Sequence, residues 1–171
     1  MTLRVDGAEA VQRLRTRIAE AKARLDNLGP ALAPAAAQLN TMIVRGFNLQ
    51  RGPNEEPWPP LRPTTVARRR NKGNPKMLQD TGNLKRSIST RATDQSVLFG
   101  VSGSAATYAR THQFGNPSNR MFGKAKAPIP ARPFLPVAKD GSPKFERGPA
   151  RKWFVDKFVA RITRYITEGK V

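Results

Sequence analysis

Five prolines between positions 51 and 63 constrain this chain more than any other feature of its sequence. A proline has no amide hydrogen to donate and interrupts a helix, and it biases the residue before it toward an extended conformation. Residues 51–63 are therefore expected to form a long irregular loop. Trp58 and Leu61 are its large apolar residues, and we expect them to anchor the loop onto the core.

The core on which this loop can pack is modest in size. The chain has 171 residues, of which 38% are hydrophobic, so a single domain with long loops is expected. A chain of this length still buries about two-thirds of the surface that it exposes when unfolded.

Three amphipathic helices are predicted from apolar residues that recur at intervals of three and four. They span residues 8–28, 34–50 and 149–167. The first pattern lasts barely three heptads, so packing on its own domain is favoured over an extended coiled coil. The apolar stripe of this first helix consists of Val11, Leu14, Ile18, Ala21, Leu25 and Leu28.

Shorter elements are predicted in the middle of the chain. Strand-forming residues at 87–92 and 96–102 predict an antiparallel hairpin, and a strand near 129–137 would extend it. Short helices are expected over 64–70 and 105–114.

Together these elements predict a small α+β domain. A short antiparallel sheet packs against the central helix at 34–50, and amphipathic helices at the two ends flank it. The chain divides into an N-terminal amphipathic helix (1–30), a core domain with long Pro-rich loops (31–137) and a C-terminal helical extension (138–171). This extension is basic, with nine cations and four acids.

Charge is the strongest functional signal in the sequence. The chain has 31 Lys and Arg residues and 12 Asp and Glu residues, a net charge of +19, and residues 61–91 hold nine cations against Asp80 alone. Such a surface attracts polyanions or acidic proteins. No aromatic residues alternate with the cations, so a base-stacking platform is not supported. A solvated basic face, docking onto an acidic protein and direct contact with DNA all remain open.

The side chains that catalysis usually requires are scarce. Cysteine is absent, which excludes disulfides and thiolate metal sites and fits a reducing cytosol, and His112 is the only histidine. The sequence has no G-x-S-x-G motif and no phosphate-binding loop. No secretory signal and no membrane span are expected. We therefore expect no enzymatic activity, no catalytic, cofactor-binding or metal-binding residues, no small-molecule substrate and no membrane partner.

Five short motifs occur one after another along the chain, and their order is more specific than any single motif. The motifs are P-W-P-P-L at 57–61, Thr65 followed by arginines 68–70, L-Q-D-T-G-N-L-K-R-S-I at 78–88, Y-A-R-T-H-Q-F-G at 108–115 and I-P-A-R-P-F-L at 129–135. Over about residues 40–137 this order resembles the phage virion morphogenesis family, also called tail completion, of Mu-like and related contractile-tailed phages. Members often end soon afterwards in an acidic helix, and the basic extension departs from that pattern.

The resemblance implies a structural protein that finishes the tail or neck so that filled heads and tails join. Similar small neck proteins work as rings, which implies a homo-oligomer with a hexamer favoured. Its expected partners are neck, adaptor and tail proteins, and its charge is compatible with a contact to packaged DNA. Its expected location is the head–tail junction of the virion, and the host cytoplasm during assembly. The alternative function is sequence-nonspecific nucleic-acid binding through the basic surface.

Two groups of residues, in the motifs and in the loop at 115–137, form the expected site. Asp80 or Thr81 is expected to accept amide hydrogen bonds at a helix start, and Arg132 to form a buried or intersubunit salt bridge. The loops at 51–63 and 115–137 are expected to make subunit contacts. Residues with an expected structural role are Asp80, Thr81, Gly82, Leu84, Tyr108, His112, Phe114 and Gly115. Residues expected at an oligomer or partner interface are Trp58, Leu61, Arg68, Arg69, Arg70, Arg120, Lys124, Arg132 and Phe134.

Overall fold

The computed structural model describes residues 7–70, 76–118 and 128–171. They form the small α+β fold that the sequence predicts, with a two-stranded antiparallel sheet and flanking helices. In chain order the elements are α1 (Gly7–Asp26), α2 (Gly29–Leu49), α3 (Pro63–Arg70), α4 (Asn83–Arg86), β1 (Ile88–Ala92), β2 (Val97–Val101), a 3₁₀ turn (Gly103–Ala105), α5 (Ala106–Phe114), α6 (Gly148–Lys152), a π-helical segment (Trp153–Val159) and α7 (Ala160–Glu168).

α2 is the predicted central helix, and its buried face forms the middle of the core. Ala35, Leu39, Ile43 and Phe47 recur every four residues and are almost fully buried, because this spacing keeps side chains on one face of a helix. The helix begins earlier than predicted, since Pro30 occupies its first turn. Proline is tolerated there because that amide has no partner within the helix.

β1 and β2 form the predicted hairpin, which packs on α2. Ile88 pairs with Val101 at the open end of the hairpin. The hydroxyl of Thr90 donates a 3.0 Å hydrogen bond to the carbonyl of Ala36 on α2. The hairpin is therefore tied to the central helix by a polar contact as well as by apolar packing.

The further strand predicted near 129–137 is not formed. In the described residues the sheet has two strands, and Ile129 makes only an isolated bridge with Asn116. Three prolines in this range remove amide donors that a third strand would need. The segment instead runs extended across the core.

Trp58 anchors the proline-rich loop, as predicted. Its ring meets Phe47 edge-on with centroids 5.3 Å apart, and its indole N–H donates a 2.7 Å hydrogen bond to the carbonyl of Pro133. Leu61 is half-buried. The loop therefore connects the end of α2 to the extended segment that contains Pro133.

α6, the π-helical segment and α7 form one continuous helix over the range predicted for the third amphipathic helix. Trp153 lies in the same core cluster as the buried face of α2, and its indole N–H donates a 2.9 Å hydrogen bond to the carbonyl of Ala35. The rings of Phe145 and Phe158 pack against the indole. Residues beyond 138 thus contribute directly to the core.

α1 is formed as predicted, but its packing differs from the prediction. No residue of α1 is buried. The body of the protein contacts only the end of this helix, where Arg24 donates a 3.1 Å hydrogen bond to the carbonyl of Ile166 in α7. The expectation that the stripe packs on its own domain is confirmed only at its C-terminal end, where Ala21 and Leu28 are half-buried. The rest is uncovered, because a spacing of three and four defines an apolar face but not the surface that covers it. Four residues of the stripe are between 48% and 60% exposed: Val11, Leu14, Ile18 and Leu25. No helix in the described ranges has the length and apolarity needed to cross a membrane.

Candidate functional site

A cleft of about 780 Å³ lies between α3, the turn before α4, α5 and the segment that follows residue 128. Its volume falls within the range of roughly 300–1,000 Å³ that is typical of ligand pockets. Within the described part of the chain, its charged lining consists of four guanidinium groups and a single carboxylate. The guanidiniums belong to Arg62, Arg68, Arg69 and Arg132 and the carboxylate to Asp80, and the imidazole of His112 lies beside them.

Asp80 faces the guanidinium groups of α3. Nε of Arg69 lies 3.6 Å from one carboxylate oxygen, and Nη2 of Arg68 lies 4.0 Å from the other. Nη1 of Arg69 donates a 2.7 Å hydrogen bond to the carbonyl of Lys76, whereas its Nε is buried without a hydrogen-bond partner in the described residues. One carboxylate at these distances leaves most of the positive charge in the cleft uncompensated.

A tight turn places Asp80 in the cleft. Gly82 has a φ of 72°, a left-handed conformation that glycine adopts without strain. The N-cap residue of α4 is Gly82, which offers no side-chain cap, so the expectation that Asp80 or Thr81 caps the helix is wrong. The hydroxyl of Thr81 accepts a 3.3 Å hydrogen bond from the amide of Asn83 in the preceding turn, and the carboxylate of Asp80 faces α3. Leu84 is buried below the turn.

Arg132 is the most buried cation of the cleft, with 6% of its surface exposed. Its guanidinium donates hydrogen bonds to the carbonyls of Pro59 at 2.8 Å and Pro60 at 3.0 Å. Burial lowers the pKa of Arg132, and the charge of Arg69 lowers it further. In this protomer, hydrogen bonds to backbone carbonyls take the place of the expected salt bridge, and they hold the proline-rich loop against the extended segment.

His112 lies on α5 one turn after Tyr108, and the two rings meet edge-on with centroids 5.8 Å apart. Burial lowers the pKa of His112 below its usual 6.5, and the charges of Arg132 and Arg69 lower it further. The imidazole is therefore neutral at neutral pH. Its Nδ1 is buried and has no hydrogen-bond partner in the described part of the chain.

The end of α5 positions the extended segment. Gly115 has a φ of 76°, and a Cβ at this position would lie 2.9 Å from the carbonyl oxygen of Ile129. A larger residue would therefore push apart the two segments that the bridge between Asn116 and Ile129 joins. The guanidinium of Arg110 lies 5.5 Å from the ring centre of Phe114, within the range of a cation–π contact.

Gln113 is a structural residue of this region that the sequence analysis missed. It is 4% exposed, and its side-chain oxygen accepts hydrogen bonds from the amides of Phe134 at 2.9 Å and Leu135 at 3.0 Å. Its side-chain nitrogen donates a 2.9 Å hydrogen bond to the carbonyl of Leu135. The available signal was its spacing of four from Ala109, which is also buried.

The residues expected at a partner interface fall in different places. Trp58 and Phe134 are 4% and 2% exposed, so their side chains lie inside the protomer and present no surface to a partner. The side chain of Arg70, and the whole of Arg120 and Lys124, lie outside the described residues. The remaining four line the cleft: Leu61, Arg68, Arg69 and Arg132.

Comparison with known proteins identifies the family. The model of the phage virion morphogenesis family matches residues 8–147, which contain α1, the sheet and all the described residues that line the cleft. Neither the curated proteins nor the solved structures contain a significant match. The family match covers well over half of the sequence, including the motifs that suggested it, and the chain belongs to the phage virion morphogenesis family.

Proposed function

We propose that this chain is a structural, non-enzymatic protein of the phage neck, which completes the tail and joins it to the filled head as a homo-oligomeric ring. Family membership supports a role in virion assembly, and hence a location in the virion after assembly in the host cytoplasm. The head–tail junction and the hexameric ring are the finer parts of this proposal. An origin in a Mu-like contractile-tailed phage stays a prediction.

The observation that carries the ring is the uncovered apolar stripe of α1. Every residue from 7 to 20 is exposed, so this part of the helix projects from the body. Contiguous exposed apolar faces mark interaction sites. In the isolated protomer the apolar stripe is exposed to water, which is unfavourable in free energy. Packing against a neighbouring subunit would remove this exposure.

We propose that the apolar stripe of α1 packs against the C-terminal helix of an adjacent copy. Val155 and Val159 lie one turn apart on that helix and are 47% and 43% exposed. A contact between different faces of successive copies forms a ring when the rotation between copies closes, and an open filament when it does not. The four exposed side chains of the stripe offer on the order of 300 Å², less than the roughly 800 Å² that each partner buries in a typical stable interface. The ring therefore needs further surface, for which the exposed residues of the loop at 51–63 are available.

Charge explains why such a ring would form on an acidic partner. Each copy carries a net charge of +19, so adjacent copies repel one another at long range. An acidic surface or added salt screens this repulsion. Neck, adaptor and tail proteins with acidic faces are therefore the partners that we propose.

A crosslinking experiment tests the contact, because the natural chain has no cysteine. Copies with Leu14→Cys are mixed with copies with Val159→Cys, assembled at high salt and treated with a short bismaleimide. We expect crosslinked dimers. Thr16→Cys is the matched control, since it is exposed on the opposite side of α1 and should give none. Equal crosslinking from positions 14 and 16 would contradict the proposed contact.

Loss of the protein from infected cells tests the junction. We expect filled heads and separate tails to accumulate, visible by electron microscopy. Normal yields of joined, infectious particles would overturn the proposed function.

The charge of +19 also favours a second candidate function, sequence-nonspecific nucleic-acid binding. This function predicts that the isolated protein binds duplex DNA with an affinity that falls steeply as salt increases. If no binding is measured at low salt, the second candidate is eliminated.

A further inference from the structure

The chain does not compensate the positive charge of its own cleft. Asp80 is the single acidic side chain in the described lining, and its nearest contacts to guanidinium nitrogens are 3.6 and 4.0 Å. A charge-assisted hydrogen bond between such groups is typically about 2.7–2.9 Å long. The cleft therefore favours a ligand that brings further negative charge.

One buried donor in the cleft is consistent with such a ligand. Nε of Arg69 has no hydrogen-bond partner in the described residues, because the carboxylate oxygen of Asp80 that it faces lies 3.6 Å away. Buried polar atoms without partners are rare in folded proteins. A ligand that places an acceptor oxygen beside Arg69 would supply the missing partner.

Apolar side chains form a large part of the remaining lining of the cleft, next to the neutral polar side chains of threonine and asparagine residues. The apolar contributors include Leu61, Leu84 and Ile129, together with Pro128 and Pro130. A small inorganic anion would use only the charged wall. A ligand that uses both walls carries apolar groups next to its anionic groups.

We propose that the cleft binds an acidic peptide segment with interspersed apolar side chains, presented by a partner protein. Its carboxylates would pair with the exposed guanidiniums of Arg62 and Arg68, and its apolar side chains would contact Leu61 and Ile129. Guanidinium groups suit this role because they bind carboxylates with two parallel hydrogen bonds. That the partner is an assembly protein rests on the proposed function. That the cleft binds such a peptide does not depend on it.

A peptide fits the cleft better than a nucleic acid does. Sequence-tolerant binding of single strands uses exposed aromatic faces for base stacking. Tyr108 is committed to other contacts, since its ring meets His112 edge-on and its hydroxyl accepts a hydrogen bond from Asn83.

Peptide binding to the full-length protein tests the proposal, with fluorescence anisotropy as the readout. The probe is a labelled peptide that alternates glutamate and leucine, and its comparator has glutamine in place of glutamate. The double variant Arg62→Gln, Arg68→Gln removes two exposed cations of the cleft. Its matched control is Arg151→Gln, Arg164→Gln, which removes the same charge from exposed positions of the C-terminal helix.

We expect the glutamate peptide to bind and the glutamine peptide not to bind. The cleft variant should weaken the Kd by about tenfold or more, as loss of paired charges at an interface does, and the control variant by less than about threefold. Asp80→Asn should tighten binding several-fold, because it removes the carboxylate that competes with the peptide. It preserves the shape of the side chain.

The proposal is overturned if both double variants weaken binding equally, because the peptide would then sense overall charge and not the cleft. It is also overturned if duplex DNA, and not the peptide, shows the loss specific to the cleft variant. If the peptide does not bind while crosslinking through α1 is intact, only the peptide-binding inference is overturned. If the peptide binds while crosslinking through α1 is lost, only the proposed ring contact is overturned.

Discussion

At the scale of single residues, the buried amide of Gln113 connects α5 to the extended segment. It satisfies the amides of Phe134 and Leu135 and the carbonyl of Leu135 at the same time. Arg132 lies two residues before Phe134 in this segment. The position of the cleft's most buried cation therefore depends on a neutral side chain outside the cleft.

Replacing Gln113 with leucine should destabilise the protein strongly. The substitution keeps the volume but removes the hydrogen-bond partner of the buried amide of Phe134 and of two half-buried backbone groups of Leu135, and a buried group costs about 1–3 kcal/mol when unpaired. We expect the free energy of unfolding, measured by urea denaturation, to fall by about 2–5 kcal/mol. Gln38→Leu, at an exposed position of α2, is the control and should change it by less than about 0.5 kcal/mol. Equal effects of the two substitutions would contradict this role.

His112 should make the stability depend on pH. Its pKa is lowered in the folded protein, first by burial and then by Arg132 and Arg69, and returns to its usual 6.5 on unfolding. The unfolded state therefore binds the proton more tightly than the folded state. The contribution of His112 to the free energy of unfolding is constant above pH 6.5, and the free energy of unfolding falls as the pH decreases through 6.5. His112 is the only histidine, and Asp and Glu titrate mainly below about pH 5.

The measurement is the urea midpoint between about pH 7.5 and 5.5, across the usual histidine pKa. We expect the wild-type midpoint to fall with decreasing pH and that of His112→Gln to fall much less. The comparison concerns slopes, so a constant offset from the lost ring contact with Tyr108 does not affect it. Parallel slopes would show that His112 is not the titrating group.

At the scale of elements, the two terminal helices differ in how they relate to the core. α1 presents its apolar stripe to solvent, whereas the C-terminal helix inserts Trp153 between α2 and the ring of Phe145. The family match ends at residue 147, yet the core of this protein includes Trp153. The helix that follows the matched region is therefore an integral part of this fold.

Substituting Trp153 with alanine tests this integration. The indole is 6% exposed and hydrogen-bonded to Ala35, and removing a large buried aromatic side chain typically costs about 3–5 kcal/mol. We expect a loss of that size in urea denaturation. Val155→Ala, two residues along at an exposed position, should cost less than about 1 kcal/mol. A small effect at position 153 would mean that the helix packs loosely.

At the scale of the whole molecule, the net charge of +19 opposes both compaction and self-association. The described ion pairs are few, and most of them are exposed, so they contribute little to stability. The fold is held instead by the apolar cluster around α2 and by hydrogen bonds from buried tryptophan, glutamine and arginine side chains. Salt is therefore expected to act on repulsion more than on attraction.

Raising the ionic strength should raise the thermal unfolding midpoint. At physiological salt the Debye length falls to about 8 Å, which screens repulsion between distant cations and leaves the buried contacts unchanged. Differential scanning fluorimetry across a sodium chloride series measures the shift. A midpoint that falls with added salt would show that surface ion pairs, and not repulsion, dominate the electrostatics.

Much of the fold could be predicted from local patterns in the sequence. Apolar intervals of three and four predicted α1, α2 and the C-terminal helix, alternation predicted the hairpin of β1 and β2, and five prolines predicted the loop that Trp58 anchors. These features follow from short-range sterics and periodicity, which are properties of neighbouring residues. Asp80 and the arginines of α3 were recognised as a charged region, but not as opposite sides of one cleft.

Only the tertiary structure decided which faces are covered and which polar groups are buried. Leu14 and Ile18 have the spacing of a buried stripe and lie in solvent, whereas Gln113 and Arg132 are polar and lie inside the protein. The cleft itself joins Arg62 to Arg132, residues far apart in the sequence. Burial depends on contacts between distant segments, so sequence periodicity defines the faces of each element and three-dimensional packing determines what each face meets.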